Sequence, residues 1–157
     1  MIFNILNIQI DNNFQNNNEN LELCVECKGK CCKNLGCHFS PKDFEVIDFK
    51  TLKNLIEKGY VVSIDWWEGD VFDKNRRRTL YLRIRNKDAN IVDPSWGGQC
   101  MLLTEHGCSL PFNERPMGGR GLIPSINECI VGYSKEDCCK EWYIYQDLLE
   151  KLVKVFS

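Results

Sequence analysis

Thiol side chains form the densest group of chemically active residues in this sequence. Five of its ten cysteines lie between positions 24 and 37, and four of them follow the pattern Cys24-x2-Cys27-x3-Cys31-Cys32. A two-residue gap lets two thiolates face one ion, and thiolates a few residues away can complete its coordination shell. Thiolate ligands suit zinc and iron–sulfur clusters better than they suit magnesium or calcium. The spacing therefore predicts a site for zinc or iron, with a 4Fe–4S cluster as one form of the iron site.

The alternative use of many cysteines is a disulfide framework, as in a secreted chain. The apolar segment 1–10 has no Lys or Arg ahead of it and no small-residue cleavage site, so we predict no signal peptide and a cytoplasmic location. Cys31-Cys32 and Cys138-Cys139 are adjacent pairs, which rarely bond to each other because the loop they would close is strained. Both features favour metal binding over disulfides.

A second set of cysteines follows in the C-terminal half of the chain. It comprises Cys100, Cys108, Cys129, Cys138 and Cys139. The order CxxCxxxCC, a cysteine before a short apolar run, a cysteine after it and then Arg115-Pro116 resembles the YkgJ-type cysteine-cluster family, a zinc- or iron-chelating domain that also occurs in flagellin lysine-N-methylases. The resemblance covers residues 24–32 and 98–129.

The resemblance implies a set of metal ligands. By position in the family pattern these are Cys24, Cys27, Cys31, Cys32, Cys100, Cys108 and Cys129. The family has a Cys-Arg pair where this chain has Gly119-Arg120, so one family cysteine is missing. We expect Cys138 or Cys139 to replace it, because both fall in the first turn of a predicted helix, where the helix dipole favours a thiolate.

Several residues beside the cysteine motifs have two interpretations. His38 and His106 each flank a motif and are either metal ligands or packing residues. Arg115 and Arg120 either hold loop carbonyls or offset the negative charge of the thiolates. Cys37 is expected to be buried as a small apolar side chain.

The bulk composition excludes some functions. The net charge is -2, with 20 basic and 22 acidic residues, so we expect neither nucleic acid nor a membrane as a partner. A protein partner remains open. No Ser-His-Asp set, phosphate loop or paired-acid motif stands out, so we predict no catalytic residues and lean against an enzyme.

Periodicity predicts an α+β fold: a small, mostly antiparallel sheet, a helix after the first cysteine cluster and a long C-terminal helix. Residues 1–20 are predicted to be an N-terminal arm and Asn-rich connector, and 21–157 a single metal-binding domain. Ser40-Pro41 predicts a helix start. Residues 60–67 and 79–85 predict strands of a hairpin, and the alternation within 79–85 predicts one buried and one solvated face.

The C-terminal helix has the clearest signal in the sequence. Ser134 is a predicted N-cap, and apolar residues then recur at intervals of three and four. They are Cys138, Trp142, Tyr145, Leu149, Leu152 and Phe156. We expect this stripe to pack over the sheet, with the metal site formed by loops that the fold brings together.

Three functions are compatible with these features. The first is a metal-binding protein with a structural or sensing role. The second is an iron–sulfur protein that takes part in redox or electron-transfer reactions. The third, implied only by the methylase relatives, is a modifying enzyme or its subunit.

Overall fold

The structure, a computed structural model, describes residues 20–27, 37–57, 61–68, 74, 77–84, 92–93, 100–105, 107–123, 125 and 129–156. It combines helices with small sheets in which antiparallel pairing predominates, and it ends in a long helical segment. The α+β prediction is therefore confirmed. The predicted N-terminal arm and connector, apart from Asn20, lie outside the described residues, and helix α1 (Leu21–Cys27) follows directly. No described helix has the length and apolar character needed to cross a bilayer.

A four-stranded sheet organises the fold. Its strands are β1 (Cys37–His38), β2 (Val61–Glu68), β3 (Arg77–Ile84) and β4 (Val92–Asp93). They are arranged in the order β1-β3-β2-β4, and only the β2–β4 pair is parallel. The predicted hairpin is thus confirmed as the central β2–β3 pair.

The solvent exposure of two residues in strand β3 differs from the prediction. The alternation of apolar and polar residues predicts that Tyr81 and Arg83 face solvent, yet each is 0% exposed. Leu80, Leu82 and Ile84 are buried as well, so both sides of the strand are covered. The predicted wet face is wrong for these two residues, because alternation reports the type of side chain and not which elements pack above the sheet. Arg85 lies outside the described residues.

Two helical pieces follow β1. A short 3-10 helix, Pro41–Asp43, begins at Ser40, whose hydroxyl accepts from the Lys42 N–H while the Asp43 carboxylate accepts from the Ser40 N–H. This reciprocal arrangement is a capping box. Helix α2, Phe49–Glu57, starts separately, because the Asp48 carboxylate accepts from the Thr51 N–H. The start predicted at Ser40-Pro41 is confirmed, and of the two forms that the sequence allows, one helix or two shorter ones with a break near Asp48, the chain has the second.

The C-terminal segment is helical with one tighter turn. Helix α4 (Lys135–Trp142) begins at Ser134, passes through a 3-10 turn (Tyr143–Tyr145) and continues as α5 (Gln146–Phe156). The predicted stripe is largely inside, since Cys138, Trp142, Leu149 and Leu152 are at most 1% exposed. The N-cap and the apolar face are confirmed. These residues share one core with α2 and β3.

Gln146 joins the C-terminal helix to the sheet. Its side-chain amide donates to the Leu80 carbonyl at 2.9 Å, and its carbonyl oxygen accepts from the Leu80 N–H at 2.8 Å. Strand β1 pairs only with residues 83 and 84 of β3, so this side of Leu80 lies beyond the end of β1. Gln146 thereby satisfies backbone groups that a longer strand would have paired.

Four small elements lie between β4 and the C-terminal helices, and Cys100, Cys108 and Cys129 lie in or next to them. Strands β5 (Leu103–Thr104) and β6 (Gly107–Cys108) form one hairpin, and β7 (Leu122–Ile123) and β8 (Ile130–Val131) form another. Between them lie a 3-10 helix, Phe112–Glu114, and the short helix α3, Met117–Arg120. The sequence predicts short extended pieces at 100–103 and 108–110, and the observed strands β5 and β6 overlap them at Leu103 and Cys108.

A buried ion pair ties α3 to the capping box. Arg120 donates to Asp43 at 2.6 Å, and the two side chains are 1% and 0% exposed. The second Asp43 oxygen accepts from the backbone N–H groups of Ser40 and Met117 at 2.9 Å each. One carboxylate therefore holds the turn after β1 and the start of α3 together.

Gly118 of α3 lies directly against the His38 ring. A Cβ at position 118 would stand 2.5 Å from Nδ1 and 2.8 Å from the backbone oxygen of His38. We expect Gly118→Ala to destabilise the fold by about 1–3 kcal/mol, because neither backbone nor a buried ring yields easily. Urea unfolding measures this change. Gly119→Ala in the same helix is the matched control, and an equal loss there would contradict this account.

Candidate metal centre

Cys24 and Cys27 lie in one short helix. Helix α1 (Leu21–Cys27) begins after Asn20, whose side-chain oxygen accepts from the Leu23 N–H at 3.0 Å. The sequence predicts that loops form the metal site, and the structure has a helix at this part of it instead. Cys24 is half-buried in its middle, and Cys27 is its last residue, one turn later.

Cys100 and Cys108 meet at the β5–β6 hairpin. Cys108 pairs in register with Leu103, and the Leu103 N–H donates to the Cys100 carbonyl at 3.2 Å. Cys100 is 4% exposed, whereas Cys108 is half-buried. The pKa of the Cys100 thiol is raised to about 11, mainly by burial. The Leu102 N–H opposes this increase, and the nearby Cys108 adds to it. Without a cation, this thiol stays protonated at neutral pH.

Helix α1 packs on this hairpin. A Cβ at Gly107 would stand 3.5 Å from the Cβ of Cys24, so the helix rests on the residue next to Cys108. Gly107 has φ of 103°, a left-handed conformation that suits glycine at the tight turn. Helix α1 therefore places Cys24 beside the hairpin that contains Cys108.

The remaining predicted ligands are only partly described. Cys31, Cys32 and the side chain of Cys27 lie outside the described residues, as does His106. Cys129 is half-buried just before β8. Within the described part of the chain, no three His, Cys, Asp or Glu side chains are arranged to hold one metal ion. A complete ligand set therefore requires the cysteines of segment 27–32.

Cys138 and Cys139 occupy the hydrophobic core. Both are 0% exposed, and the Cys138 thiol donates to the Phe39 carbonyl at 3.4 Å, an oxygen that also accepts from the Trp142 indole at 2.7 Å. Burial raises the pKa of Cys138 well above its usual range. Neither residue joins a group of three possible ligands among the described residues. The replacement of the missing family cysteine by one of them stays a prediction.

Serine substitution of this pair separates packing from ligation. Because Cys138 packs against Phe39 and Trp142, we expect Cys138→Ser with Cys139→Ser to lower the melting temperature; if one of the pair is also a ligand, the metal content per folded chain falls as well. Calorimetry and metal analysis of the same samples measure the two effects. The single variant Cys37→Ser is the control. Loss of metal in the double variant alone would establish the ligand role.

His38 is a buried neutral side chain. Its Nε2 lies 3.0 Å from the Tyr133 carbonyl, which can only accept, so Nε2 carries the proton. Its ring stacks on Tyr133 with centroids 5.2 Å apart, and the buried Nδ1 has no hydrogen-bond partner among the described residues and faces Gly118. Burial lowers its pKa from 6.5 to about 4. These contacts favour the packing interpretation of His38.

The lowered pKa predicts acid sensitivity. Between about pH 6.5 and 4 the unfolded chain binds a proton at His38 that the folded chain does not, so the free energy of unfolding falls as the pH falls through this window. Between pH 7 and 4, we expect the free energy of unfolding of His38→Gln to fall by about 3 kcal/mol less than that of the wild type. Urea unfolding at several pH values measures it. His106→Gln should keep the wild-type slope, and an unchanged slope in His38→Gln would contradict this prediction.

Arg115 and Arg120 both make structural contacts. The Nε of Arg115 donates to the Leu110 carbonyl at 3.0 Å, and its guanidinium lies 5.7 Å from the centre of the Phe112 ring. Arg120 is paired with Asp43, as described above. Of the two roles left open by the sequence, holding loop carbonyls fits Arg115. Arg120 neutralises a buried carboxylate, a role outside those two.

One charged residue near the cysteines is missed by sequence reasoning. Arg83 is fully buried, and its charge acts on both the Cys100 thiol and the His38 ring. Within β3 an arginine between two leucine-type positions is typical of a solvated face. No sequence signal separates a buried arginine from an exposed one at such a position.

Comparison with known proteins identified no match to this chain. No family model matches the chain, and neither the search of curated proteins nor that of solved structures found a match. The site's chemistry is therefore argued from its own residues.

Proposed function

We propose that this protein binds zinc or iron through cysteine thiolates, and that the metal has a structural or sensing role. The centre joins helix α1 to the β5–β6 hairpin. Its ligands come from Cys24, Cys27, Cys31, Cys32, Cys100, Cys108 and Cys129. The metal takes the place of the hydrophobic contacts that so short a helix and hairpin cannot make for themselves.

The contact between helix α1 and the β5–β6 hairpin carries this proposal. A helix that begins the CxxCxxxCC motif rests on the one hairpin that holds two further predicted ligands. Cys24 and Cys108 are each half-buried, which leaves them accessible to an incoming ion. A disulfide framework receives no support from Cys100 and Cys108, since both are free thiols.

The buried thiol of Cys100 fits the same chemistry. A protonated thiol inside the protein gains little from its surroundings, and a metal ion displaces its proton outright. Binding of metal then releases protons and fixes the hairpin. This makes metal affinity depend on pH and makes the metal a part of the folded structure.

Metal analysis of anaerobically purified protein tests the proposal. We expect stoichiometric zinc in a colourless sample, or iron with acid-labile sulfide in a brown sample that bleaches on reduction. Cys24→Ser, Cys100→Ser and Cys108→Ser should each lower the metal content, whereas Cys37→Ser should not. A wild-type protein without zinc or iron after growth in metal-replete medium would refute the proposal.

A further inference from the structure

The C-terminal helical segment exposes a second line of apolar side chains, separate from the one that packs in the core. Ile144, in the 3-10 turn, is 77% exposed, and Val155, near the end of α5, is 53% exposed. Leu148 lies between them and is half-buried. Steps of four and seven residues bring these three side chains close to one line along a helix. We call this line, which Lys151 completes, the outer stripe.

The spacing of the outer stripe is the same from either end. Ile144, Leu148, Lys151 and Val155 are separated by four, three and four residues, which is the spacing along the seam of a helix pair. Two copies of the helix that run in opposite directions therefore place Ile144 of each chain beside Val155 of the other. Lys151 then meets Leu148, over which its apolar stem can lie while its ammonium group stays in water. A two-fold interface requires such a self-complementary surface.

The charges beside the outer stripe are complementary in this arrangement. Asp147 and Lys154 are both exposed and lie on the same flank of the stripe, seven residues apart. Antiparallel copies bring Asp147 of each chain near Lys154 of the other, whereas parallel copies would bring like charges together. Within the described part of the chain neither residue is in an ion pair, although Lys151 and Glu150 offer each an opposite charge four residues away. Both charges are therefore available to a second copy.

We propose that the outer stripe is a docking surface for a second copy of this chain, with the two α5 helices antiparallel. Three apolar side chains from each copy make a small interface, and small interfaces are weak and transient. We expect a dissociation constant on the order of 100 µM. The proposal does not depend on the metal centre, which joins α1 to the β5–β6 hairpin.

Sedimentation equilibrium of the wild-type chain at about 10–500 µM measures the association. We expect Ile144→Asp to weaken it at least about tenfold, because a carboxylate would be buried at the interface without a partner. Ile130→Asp, at another exposed apolar position (59%) on β8, is the matched control and should associate as wild type does. A wild-type chain that stays monomeric throughout this range overturns the proposal. So does an association that Ile144→Asp leaves unchanged.

Charge reversal tests the antiparallel arrangement. Asp147→Lys and Lys154→Asp each place like charges opposite one another, so we expect each variant alone to associate about tenfold more weakly. The double variant restores opposite charges and should associate as wild type does, as should an equimolar mixture of the two single variants. Unchanged association in the single variants would overturn this arrangement, and so would a double variant as weak as they are.

A different occupant of the outer stripe gives a different result. A lipid surface would be identified if the wild-type chain stayed monomeric but bound vesicles of anionic phospholipid, and if Ile144→Asp abolished that binding. This outcome would overturn the proposal. The acidic residues Asp147 and Glu150 beside the stripe disfavour it, because they are repelled by anionic lipids.

Discussion

Removal of the metal with a chelator is expected to release helix α1 from the β5–β6 hairpin and to destabilise the protein by at least about 3 kcal/mol. For a chain of this size the loss corresponds to about 10 °C in melting temperature. The reason is that α1 has seven residues, too few to be stable alone, and meets the hairpin through Cys24 and Gly107. Amide hydrogen exchange with and without chelator measures the effect by region.

The pattern of exchange distinguishes a local staple from general unfolding. Helix α2, strand β3 and helix α5 belong to a large hydrophobic core in which the segment around the hairpin contributes only a few side chains, so we expect their amides to remain protected in the stripped protein. Amides of α1 and of β5 and β6 should exchange faster. Equal loss of protection throughout the described residues would contradict a local role, and no change anywhere would contradict the metal centre. Refilling with zinc is the control for irreversible damage.

Arg120→Met is expected to cost about 3–5 kcal/mol of stability, because it leaves the Asp43 carboxylate buried without its cation. Asp43 is 0% exposed, and its carboxylate also accepts from the N–H groups of Ser40 and Met117. Urea unfolding of wild type and variant measures the loss. Metal content per folded chain should stay unchanged, because this pair lies in the capping box and not at the hairpin.

The double variant Asp43→Asn with Arg120→Met is the matched control. Removing both charges should recover part of the stability lost in Arg120→Met, since a neutral amide is easier to bury than an unpaired carboxylate. A double variant less stable than Arg120→Met would show that Asp43 contributes mainly through its backbone hydrogen bonds. A cost below about 1 kcal/mol for Arg120→Met alone would contradict the importance of the buried pair.

Elements with strong local signals are predictable from the sequence. The apolar stripe from Cys138 to Phe156 and the cap at Ser134 place the C-terminal helix correctly, because both depend only on residues near one another. The β2–β3 hairpin is predicted for the same reason. The 3-10 turn at Tyr143–Tyr145 carries no such signal.

Features that depend on tertiary packing are not predictable in this way. The burial of Tyr81 and Arg83 is decided by what covers β3, which alternation does not report. The pairing of Arg120 with Asp43 joins residues far apart in the chain. Helix α1 lies between the local and the tertiary cases. Asn20 is a favourable N-cap for it, but the cysteine spacing alone does not indicate a helix.

The same distinction between local and tertiary features applies to the candidate site. Cysteine spacing identifies which residues suit a metal, because the geometry of a CxxC pair is local. The approach of Cys24 to the hairpin of Cys100 and Cys108 is a consequence of the fold. The position of Cys138 in the core, against Phe39, also depends on packing that the helical stripe alone does not specify.

X-ray absorption at the metal edge of the anaerobically purified wild-type protein tests the central claim most directly. It reads the atoms bound to the metal without altering any cysteine. The account predicts a first shell dominated by sulfur at about 2.3 Å. A shell made only of nitrogen or oxygen at about 2.0–2.1 Å would contradict it, because the cysteines would then not hold the metal.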